Sequence, residues 1–334
     1  MTSRPSTPPA AMRSSRAADY RPRVLLVTGF GRSGTTLVNT ILGSTPGVFA
    51  AGEVRFLWER GLIQGRQCGC GQPLDACPVW GPVLEKAFGA TEIDAARLVA
   101  EDATVMRTRQ LPRMLASRFV GERLMPRLDT LPDALTAVYR SIQEVTGAEL
   151  IVDTSKPPSY GYVLQHLDDI DLRILHVVRD PRAVAYSWTR TKALTDGGDR
   201  TEMLRLSPPQ SALQWDLWNG AAGWLWGRSD RYLRMRYEDL ADRPAEAMAR
   251  IAAFAGVPDL ALPFTGARDV ATTTVHTVAG NADRMRSGPL TIRLDDAWQT
   301  ELPTRARRLV TALTLPLLIR YRYPVSPARP PTRP

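Results

Sequence analysis

A strand, a glycine-rich turn and the start of a helix follow one another in Val24–Thr36, and this run limits the possible folds most strongly. Val24–Thr28 is continuously apolar, as expected of a strand buried on both faces of a parallel sheet. Glycines in the turn let backbone amides point inward, and the N-terminus of the next helix, Leu37–Leu42, adds about half a positive charge. The segment therefore predicts an anion-binding loop. The alternative is a tight turn that needs glycine only for its backbone.

The loop lacks one residue of a nucleotide-triphosphate loop. The spacing from Gly29 to Gly34 matches such a loop, which continues with a lysine that reaches the outer phosphates, but Thr35 follows here. A loop without that lysine suits a shorter anion, such as a single phosphate that carries one more acidic group. Arg32 supplies a cation within the loop. The predicted anion-binding residues are Gly31, Arg32, Ser33, Gly34, Thr35 and Thr36.

Further strands with the same pattern are predicted at Leu150–Asp153, Ile174–Val178 and Tyr232–Arg236. Each is followed by a polar turn and a helical stretch, and this alternation predicts a parallel sheet with ligands at the carboxyl ends of its strands. The stretch 60–147 is mostly helical and too long for one crossover, so we expect a helical insertion over the active face. The predicted fold class is α/β, a three-layer P-loop-like fold with a central parallel sheet.

Most of the net positive charge lies near the two ends of the chain. The net charge is +9, of which Met1–Arg23 (five Arg, one Asp) and Leu317–Pro334 (four Arg, no acid) carry nearly all. The body is therefore nearly neutral, which argues against a nucleic-acid groove. Both ends are rich in Pro, Ser and Arg, and we predict disordered tails at 1–23 and 323–334 around one domain at 24–316.

A second anion site is predicted after the strand Ile174–Val178. Asp180 followed by Pro181 is a typical helix start, because Asp caps the helix and Pro fits its first turn. Arg179 then lies at the carboxyl end of the strand and Ser187 two turns into the helix, which suits a phosphate monoester. The alternative is an Arg179 paired with a surface acid. Two anion sites at neighbouring strand ends predict a nucleotide phosphorylated on its 5′ and 3′ sides.

In these segments the chain resembles the sulfotransferase family that uses 3′-phosphoadenosine 5′-phosphosulfate (PAPS), in its carbohydrate and tyrosylprotein branch. Gly31–Leu37 resembles the family's 5′-phosphosulfate loop and Val178–Trp188 its 3′-phosphate segment. Arg236–Leu240 and His276–Gly288 resemble its C-terminal half, so that the likeness runs from Val24 to Leu302. It implies PAPS as co-substrate without a metal. The acceptor stays open among a glycan, a glycolipid and a secondary-metabolite hydroxyl.

Sulfuryl transfer to an alcohol also needs a group that takes the hydroxyl proton, an effect worth about 10²–10⁴ in rate. Glu53 follows a short apolar strand and resembles the Gly-Glu segment of tyrosylprotein and carbohydrate sulfotransferases, where the glutamate is the base. The alternatives are Glu53 as a helix-cap partner or as an ion-pair partner of Arg55, and His276 in the late loop as the base. His176 is predicted to be a core residue, and His166 lies on a helix without loop context.

Lysine is rare in this arginine-rich chain, which has only Lys86, Lys156 and Lys192. Lys156 follows the third strand, where a compact charge can donate to one oxygen. The resemblance implies that it stabilises the bridging oxygen as the bond to sulfur breaks, and the alternative is a surface lysine capped by prolines. Arg284 and Arg286 resemble the family's final clamp on the 3′-phosphate, to whose field Lys192 adds.

Three cysteines lie close together in Cys68–Trp80, at Cys68, Cys70 and Cys77. Structural zinc needs four ligands, and no histidine precedes His166, so we expect no metal here. A Cys68–Cys77 disulfide and a reduced structural loop stay open as alternatives.

The apolar stretch Leu309–Ile319 is flanked by arginines and contains Pro316. It is too short to span a bilayer and predicts a last helix packed on the body, with weak membrane-surface contact as the alternative. Because the N-terminus lacks an apolar signal segment, we expect a cytoplasmic protein. One predicted helix carries four tryptophans that form either core or a sugar-stacking platform: Trp215, Trp218, Trp224 and Trp226.

Two rival functions make different demands on the sequence. A small-molecule kinase that uses ATP and Mg²⁺ needs a lysine at the position of Thr35. A nucleotide-binding module without chemistry gives Glu53 and Lys156 no reason to meet at the loop. We therefore expect a sulfotransferase with Glu53 as base, Lys156 and Arg32 in the catalytic set, and no metal.

Overall fold

The structure is a computed structural model, and the residues that it describes are 21–89, 93–106, 110–120, 128–191 and 204–326. Most of both predicted tails and Lys192 lie outside these described residues.

A five-stranded sheet forms the centre of the fold, and all its neighbouring strands are parallel. The strand order is β2-β3-β1-β4-β5. The predicted α/β class and central parallel sheet are confirmed. The strands are β1 (Arg23–Thr28), β2 (Val48–Gly52), β3 (Leu150–Lys156), β4 (Asp171–Val178) and β5 (Tyr232–Arg236).

Helices cover both faces of the sheet, and a small antiparallel pair, β6 (Asp269–Thr272) and β7 (Gly288–Thr291), lies apart from it. Short 3₁₀ turns occupy Val54–Phe56 and Ala282–Met285, and a π-helix occupies Leu57–Ile63. The α-helices are α1 (Thr35–Gly43), α2 (Trp80–Phe88), α3 (Ala95–Met106), α4 (Leu111–Val120), α5 (Leu131–Thr146), α6 (Pro158–Leu164), α7 (Pro181–Thr189), α8 (Pro208–Trp226), α9 (Tyr237–Asp242), α10 (Pro244–Phe254), α11 (Trp298–Glu301), α12 (Thr304–Leu313) and α13 (Leu315–Arg320).

The central strand β1 is buried on both faces because its successive side chains point to opposite sides. Val24 and Leu26 belong to the core that contains residues of α2, α5 and α6. Leu25 and Val27 belong to a second core, with residues of α1 and α10. The sheet is thus the middle of three layers, as predicted.

The helices α2–α5 lie in the stretch between β2 and β3 that was predicted as an insertion. α2 packs on α5, α3 on the π-helix, and α4 on α8. Their inward residues Val83, Leu135 and Val138 are fully buried. The apolar spacing in this stretch therefore serves packing.

The last two helices pack on α7 and α8 through buried side chains of α12 and α13. Val310 and Leu318 are fully buried, whereas Ile319 is 58% exposed. Within the described ranges, no helix is both long and apolar enough to cross a bilayer. Trp215 and Trp226 of α8 are buried core residues, whereas Trp224 on the same helix is 48% exposed.

Candidate active site

A cleft of about 890 Å³ lies at the carboxyl edge of the central sheet. Residues at or just after the end of each strand line it: Glu53 after β2, Lys156 at the end of β3, Arg32 after β1, Arg179 after β4 and Tyr237 after β5. Because carboxyl ends of parallel strands share one edge, residues distant in sequence meet here. The volume is in the usual range for small-molecule sites.

The loop between β1 and α1 needs glycine at two positions. Gly29 has φ +133°, and a Cβ there would lie 2.3 Å from the carbonyl oxygen of Val177. Gly34 has φ +92°, and a Cβ there would lie 2.4 Å from the ring of Tyr237. Helix α1 starts at Thr35 without a side-chain cap or an acidic residue in its first turn. Because Gly34, Thr35 and Thr36 line the cleft, the helix begins there, and the unpaired amides of a helix start are suited to an anion.

Five of the six predicted loop residues border the cleft. Gly31, Arg32, Gly34, Thr35 and Thr36 line it. The exception is the residue at position 33, whose fully buried side chain is not part of the lining. A contact of Ser33 with an anion stays a prediction and would involve its backbone amide.

Arg32 adopts a left-handed backbone with φ 70°, and its guanidinium lies 5.0 Å from the ring centre of Trp188. Burial lowers the pKa of Arg32, and the nearby Asp283 carboxylate opposes that shift. An arginine guanidinium stays protonated in folded proteins, so Arg32 remains a cation at neutral pH.

Glu53 and Lys156 form an ion pair in which the ammonium Nζ donates to carboxylate Oε1. Glu53 is 8% exposed, and its backbone amide donates to the carbonyl of Val278 at 2.7 Å. Lys156 adopts φ 67°, and its carbonyl accepts from Thr28 Oγ1 at 2.6 Å. A left-handed conformation is uncommon for a residue with a side chain and is held here by the surrounding contacts.

Neither structural alternative for Glu53 is found. Arg55 instead makes a bidentate contact with Asp102, with Nε–Oδ1 at 3.2 Å and Nη2–Oδ2 at 3.0 Å. Glu53 precedes the turn Val54–Phe56 without capping it through its side chain. The surface-lysine alternative for Lys156 is also wrong, because its side chain is only 17% exposed.

A buried polar network, which no sequence motif indicates, supports the end of β3. Asp153 Oδ1 accepts from the Ser155 amide at 2.7 Å and Oγ at 2.5 Å, and Oδ2 accepts from Tyr139 at 2.5 Å. Ser155 Oγ also accepts the Arg55 amide at 3.1 Å. Burial raises the pKa of Asp153 to about 6. The network links the segment after β2 to the residue preceding Lys156.

On the other side of the loop, α7 begins at Pro181 and Asp180 caps it, as predicted. Arg179 and Ser187 both line the cleft. Arg179 Nη2 also donates to Asp295, at 3.0 Å to the carbonyl oxygen and 3.2 Å to Oδ2. The Arg179 side chain therefore lines the cleft and is also paired with an acidic residue.

The late loop supplies residues other than the predicted clamp. Arg284 is buried and donates to the carbonyls of Thr277 at 2.9 Å and Gln67 at 3.0 Å. The Arg286 side chain is 85% exposed and pairs with Asp283 at 3.6 Å. Neither guanidinium lines the cleft, so the described contacts do not support the predicted 3′-phosphate clamp at Arg284 and Arg286, which stays a prediction. Asn281, from the segment His276–Gly288, and Arg293, which no motif indicated, line the cleft.

The histidines lie outside the cleft lining. His276 Nδ1 is 3.2 Å from Cys77 Sγ, and burial lowers the pKa of this histidine. His176 is fully buried between Tyr232 and Asn219, which confirms its core position. The position of His276 therefore does not support it as the base.

The cleft carries more positive than negative side chains and suits an anionic ligand. Among the described residues of the predicted insertion, those that line the cleft are Arg60, Gln64 and Arg66 in or just after the π-helix, and no described residue of α2–α5 does. Trp218 of α8 lines the cleft beside Phe30 and Trp188. The positively charged residues that line the cleft are Arg32, Arg55, Arg60, Arg66, Lys156, Arg179, Arg190 and Arg293. The negatively charged ones are Glu53, Glu59, Asp283 and Asp295.

The structure is that of an α/β protein with a cleft at its sheet edge that is lined by a glycine-rich loop. The sequence matches the family model described as "Sulfotransferase family" over residues 23–261. This match covers more than half of the chain, and the protein therefore belongs to the sulfotransferase family, a family of transferases. Eight cleft residues lie beyond the matched range: Gly280, Asn281, Asp283, Leu290, Thr291, Ile292, Arg293 and Asp295.

Comparison with individual proteins gives either a short aligned segment or a low sequence identity. The chain is 34% identical to mouse (Mus musculus) carbohydrate sulfotransferase 3 over 105 residues, which are 27% of this chain and 21% of that protein. The match thus spans about a fifth of the curated relative's length. The sulfotransferase domain from the curacin biosynthetic pathway has 15% identity, a TM-score of 0.46 and coverage of 91% of this chain and 99% of that chain. The domain from the Synechococcus PCC 7002 olefin synthase has 20% identity, a TM-score of 0.45 and coverage of 92% and 98%.

Proposed function

We propose that this protein transfers a sulfuryl group from PAPS to a hydroxyl of a glycan, a glycolipid or a secondary metabolite. The observation that carries the proposal is the Glu53–Lys156 pair beside the anion loop. A proton acceptor and a compact cation meet where the loop amides would hold the transferring group. A binding module without chemistry does not require this meeting, and Thr35 occupies the position where a kinase loop has lysine.

The nucleotide is bound at two places in this proposal. The amides at the start of α1 and the Arg32 guanidinium bind the 5′-phosphosulfate. Arg179 and Ser187 bind the 3′-phosphate from the other side of the loop. Both groups line the same cleft. No metal takes part in binding or transfer.

In the transfer, one bond to sulfur forms, another breaks, and one proton moves. The acceptor oxygen forms a bond to sulfur while the bond from sulfur to the bridging oxygen breaks, and adenosine 3′,5′-bisphosphate leaves with the electron pair. Glu53 takes the acceptor's proton. Lys156 donates a hydrogen bond to the bridging oxygen as it gains charge, and Arg32 stabilises the sulfuryl oxygens.

The acceptor enters from the side of the cleft formed by the π-helix and the residues after it. Glu59, Arg60, Gln64 and Arg66 line that side, and their polar groups suit a hydroxylated acceptor. The name of the mouse relative refers to carbohydrate, which supports a glycan or glycolipid among the three classes.

Calorimetry on the full chain tests the nucleotide assignment. We expect adenosine 3′,5′-bisphosphate to bind more tightly than AMP, equally with Mg²⁺ or with EDTA. Equal affinity for the two nucleotides, or dependence on Mg²⁺, would contradict the assignment. Labelled PAPS offered with panels of glycans, glycolipids and phenolic or aliphatic alcohols then identifies the acceptor, and failure to label any hydroxyl compound would count against transfer.

A further inference from the structure

Three cysteines and one histidine come together outside the cleft. Cys68, Cys70 and Cys77 lie within one loop, and His276 joins them from a segment 199 positions after Cys77. The three sulfurs and one ring nitrogen of these residues lie within 4.8 Å of one another. All three cysteines are free thiols.

The distances within this Cys₃His cluster match those of one tetrahedral ion. With bonds of about 2.3 Å to sulfur and about 2.0 Å to nitrogen, a tetrahedral zinc site has sulfur–sulfur edges of about 3.8 Å and sulfur–nitrogen edges of about 3.5 Å. Here Cys77 Sγ is 3.6 Å from Cys68 Sγ and 3.8 Å from Cys70 Sγ. His276 Nδ1 is 3.2 Å from Cys77 Sγ and 4.0 Å from Cys68 Sγ. The sulfur separations are far above the roughly 2.05 Å of a disulfide.

The backbone around the cluster brings its two segments into close contact. The Gly69 amide donates to the Thr277 carbonyl at 3.0 Å. A Cβ on Gly69 would lie 2.3 Å from the Val275 carbonyl oxygen, so the Cys-Gly-Cys order allows this approach. Trp80 Nε1 donates to the His276 carbonyl at 2.7 Å, and the Trp80 amide donates to Cys77 Sγ at 3.5 Å. Such contacts orient ligands and stabilise thiolate charge.

We propose that Cys68, Cys70, Cys77 and His276 bind one structural Zn²⁺. Three thiolates and an imidazole are a soft set that favours zinc, and four protein ligands leave no position for substrate. Cys68 and Cys77 are buried, and none of the four residues lines the cleft. The sequence predicted no metal because only three ligands lie near one another along the chain. The fold brings the fourth, His276, from the late loop.

The zinc would fix the region that carries the candidate base. His276 lies two residues before Val278, whose carbonyl accepts from the Glu53 amide and whose own amide donates to Ala51 at 2.8 Å. Joining the cysteine loop to this segment therefore restrains the backbone of Glu53. The ion has no contact with nucleotide or acceptor, so the metal proposal stands or fails independently of PAPS chemistry.

Metal analysis of the full chain, purified under reducing conditions with zinc in the medium, tests the site. We expect about one zinc per chain, and loss of most of it in Cys70→Ser and in His276→Ala. His276→Cys supplies another ligand and should retain the metal. His166→Ala is the matched control, because the His166 ring contacts the Tyr162 carbonyl and does not belong to the cysteine cluster, and this variant should also retain zinc.

Cobalt substitution of the wild-type chain gives a second reading that does not depend on whether the variants fold. Zinc removed by chelation and replaced by Co²⁺ should give the visible bands and the thiolate charge-transfer band of a tetrahedral site. Absence of both zinc and cobalt uptake would overturn the proposal. So would iron in place of zinc, a Cys68–Cys77 disulfide in the purified protein, or zinc content that Cys70→Ser leaves unchanged.

Discussion

The Lys156 ammonium donates a hydrogen bond to the Glu53 carboxylate across 103 positions of sequence. The two residues meet because β2 and β3 are neighbours in the sheet and both end at the cleft. The ion pair places a proton acceptor and a cation side by side at the anion loop. Its two members can be tested separately.

Glu53→Gln keeps the size of the side chain and a carbonyl oxygen that can accept from Lys156, but it removes the basic group. We expect turnover to fall by about 10²–10⁴ while nucleotide affinity changes little. Steady-state transfer rates and calorimetry measure the two quantities. Glu85→Gln, on the exposed face of α2, is the control and should behave as wild type. Near-normal turnover of Glu53→Gln would exclude Glu53 as the base.

Lys156→Arg keeps the charge but replaces a compact ammonium by a longer planar fork. We expect the catalytic constant to fall more than cofactor affinity, because the lost contact forms as the bridging oxygen gains charge. Lys86→Arg is the matched control, since Lys86 is about half exposed and pairs with Glu144 at 2.8 Å, and its turnover should not change. Wild-type turnover in Lys156→Arg would show that any cation suffices at that position.

The sequence predicted the sheet and most strand ends because those features depend on local signals. A continuous apolar run predicted β1, and the Asp180–Pro181 pair predicted the start of α7. The sequence did not predict the role of His276, because its partners are brought to it by the tertiary fold. Similarity to a motif also does not tell where a guanidinium points, and that of Arg284 donates to the carbonyls of Thr277 and Gln67.

Ser187→Ala tests the 3′-phosphate site with little change in packing. A hydrogen bond to a charged group contributes about 1.5–3 kcal/mol, so affinity for adenosine 3′,5′-bisphosphate should fall about tenfold or more. AMP lacks the 3′-phosphate and should bind the variant and wild type alike. Calorimetry with both ligands measures the ratio. An equal loss for AMP would assign Ser187 to another part of the nucleotide.

Arg284→Lys tests whether Arg284 is structural. Removing its bonds to Thr277 and Gln67 should lower the free energy of unfolding by about 1–3 kcal/mol and leave the preference for the 3′-phosphate unchanged. Denaturant unfolding and nucleotide calorimetry measure the two effects. Arg286→Lys, on an exposed side chain, is the control and should change neither. Loss of the 3′-phosphate preference without loss of stability would restore Arg284 to the phosphate site.

Two buried groups give the stability opposite pH dependences over nearly the same range. Burial raises the pKa of Asp153 from 3.8 to about 6, so the folded chain binds the extra proton there and its stability falls as pH rises through that window. Burial lowers the pKa of His176 from 6.5 to about 4, so the unfolded chain binds the extra proton and stability rises with pH. The two slopes oppose each other.

Asp153→Asn should therefore leave the contribution of His176 to the pH dependence of stability unopposed. Relative to wild type, the variant should gain about 1.4 kcal/mol of unfolding free energy for each pH unit between about 4 and 6, and the difference should level off above that range. Denaturant unfolding at a series of pH values measures it. A difference that is independent of pH would show that Asp153 titrates alike in the folded and unfolded chains.

The hydrogen bond from the Glu53 amide to the Val278 carbonyl also bears on the order in which the site is completed. Because a chain is synthesised from its N-terminus to its C-terminus, Arg32, Lys156 and Ser187 all leave the ribosome before Val278. Until that residue arrives, the strand next to Glu53 lacks the partner that fixes its end. We therefore expect a nascent chain to acquire its anion site first and its catalytic competence last, which separates occupancy by nucleotide from turnover during synthesis.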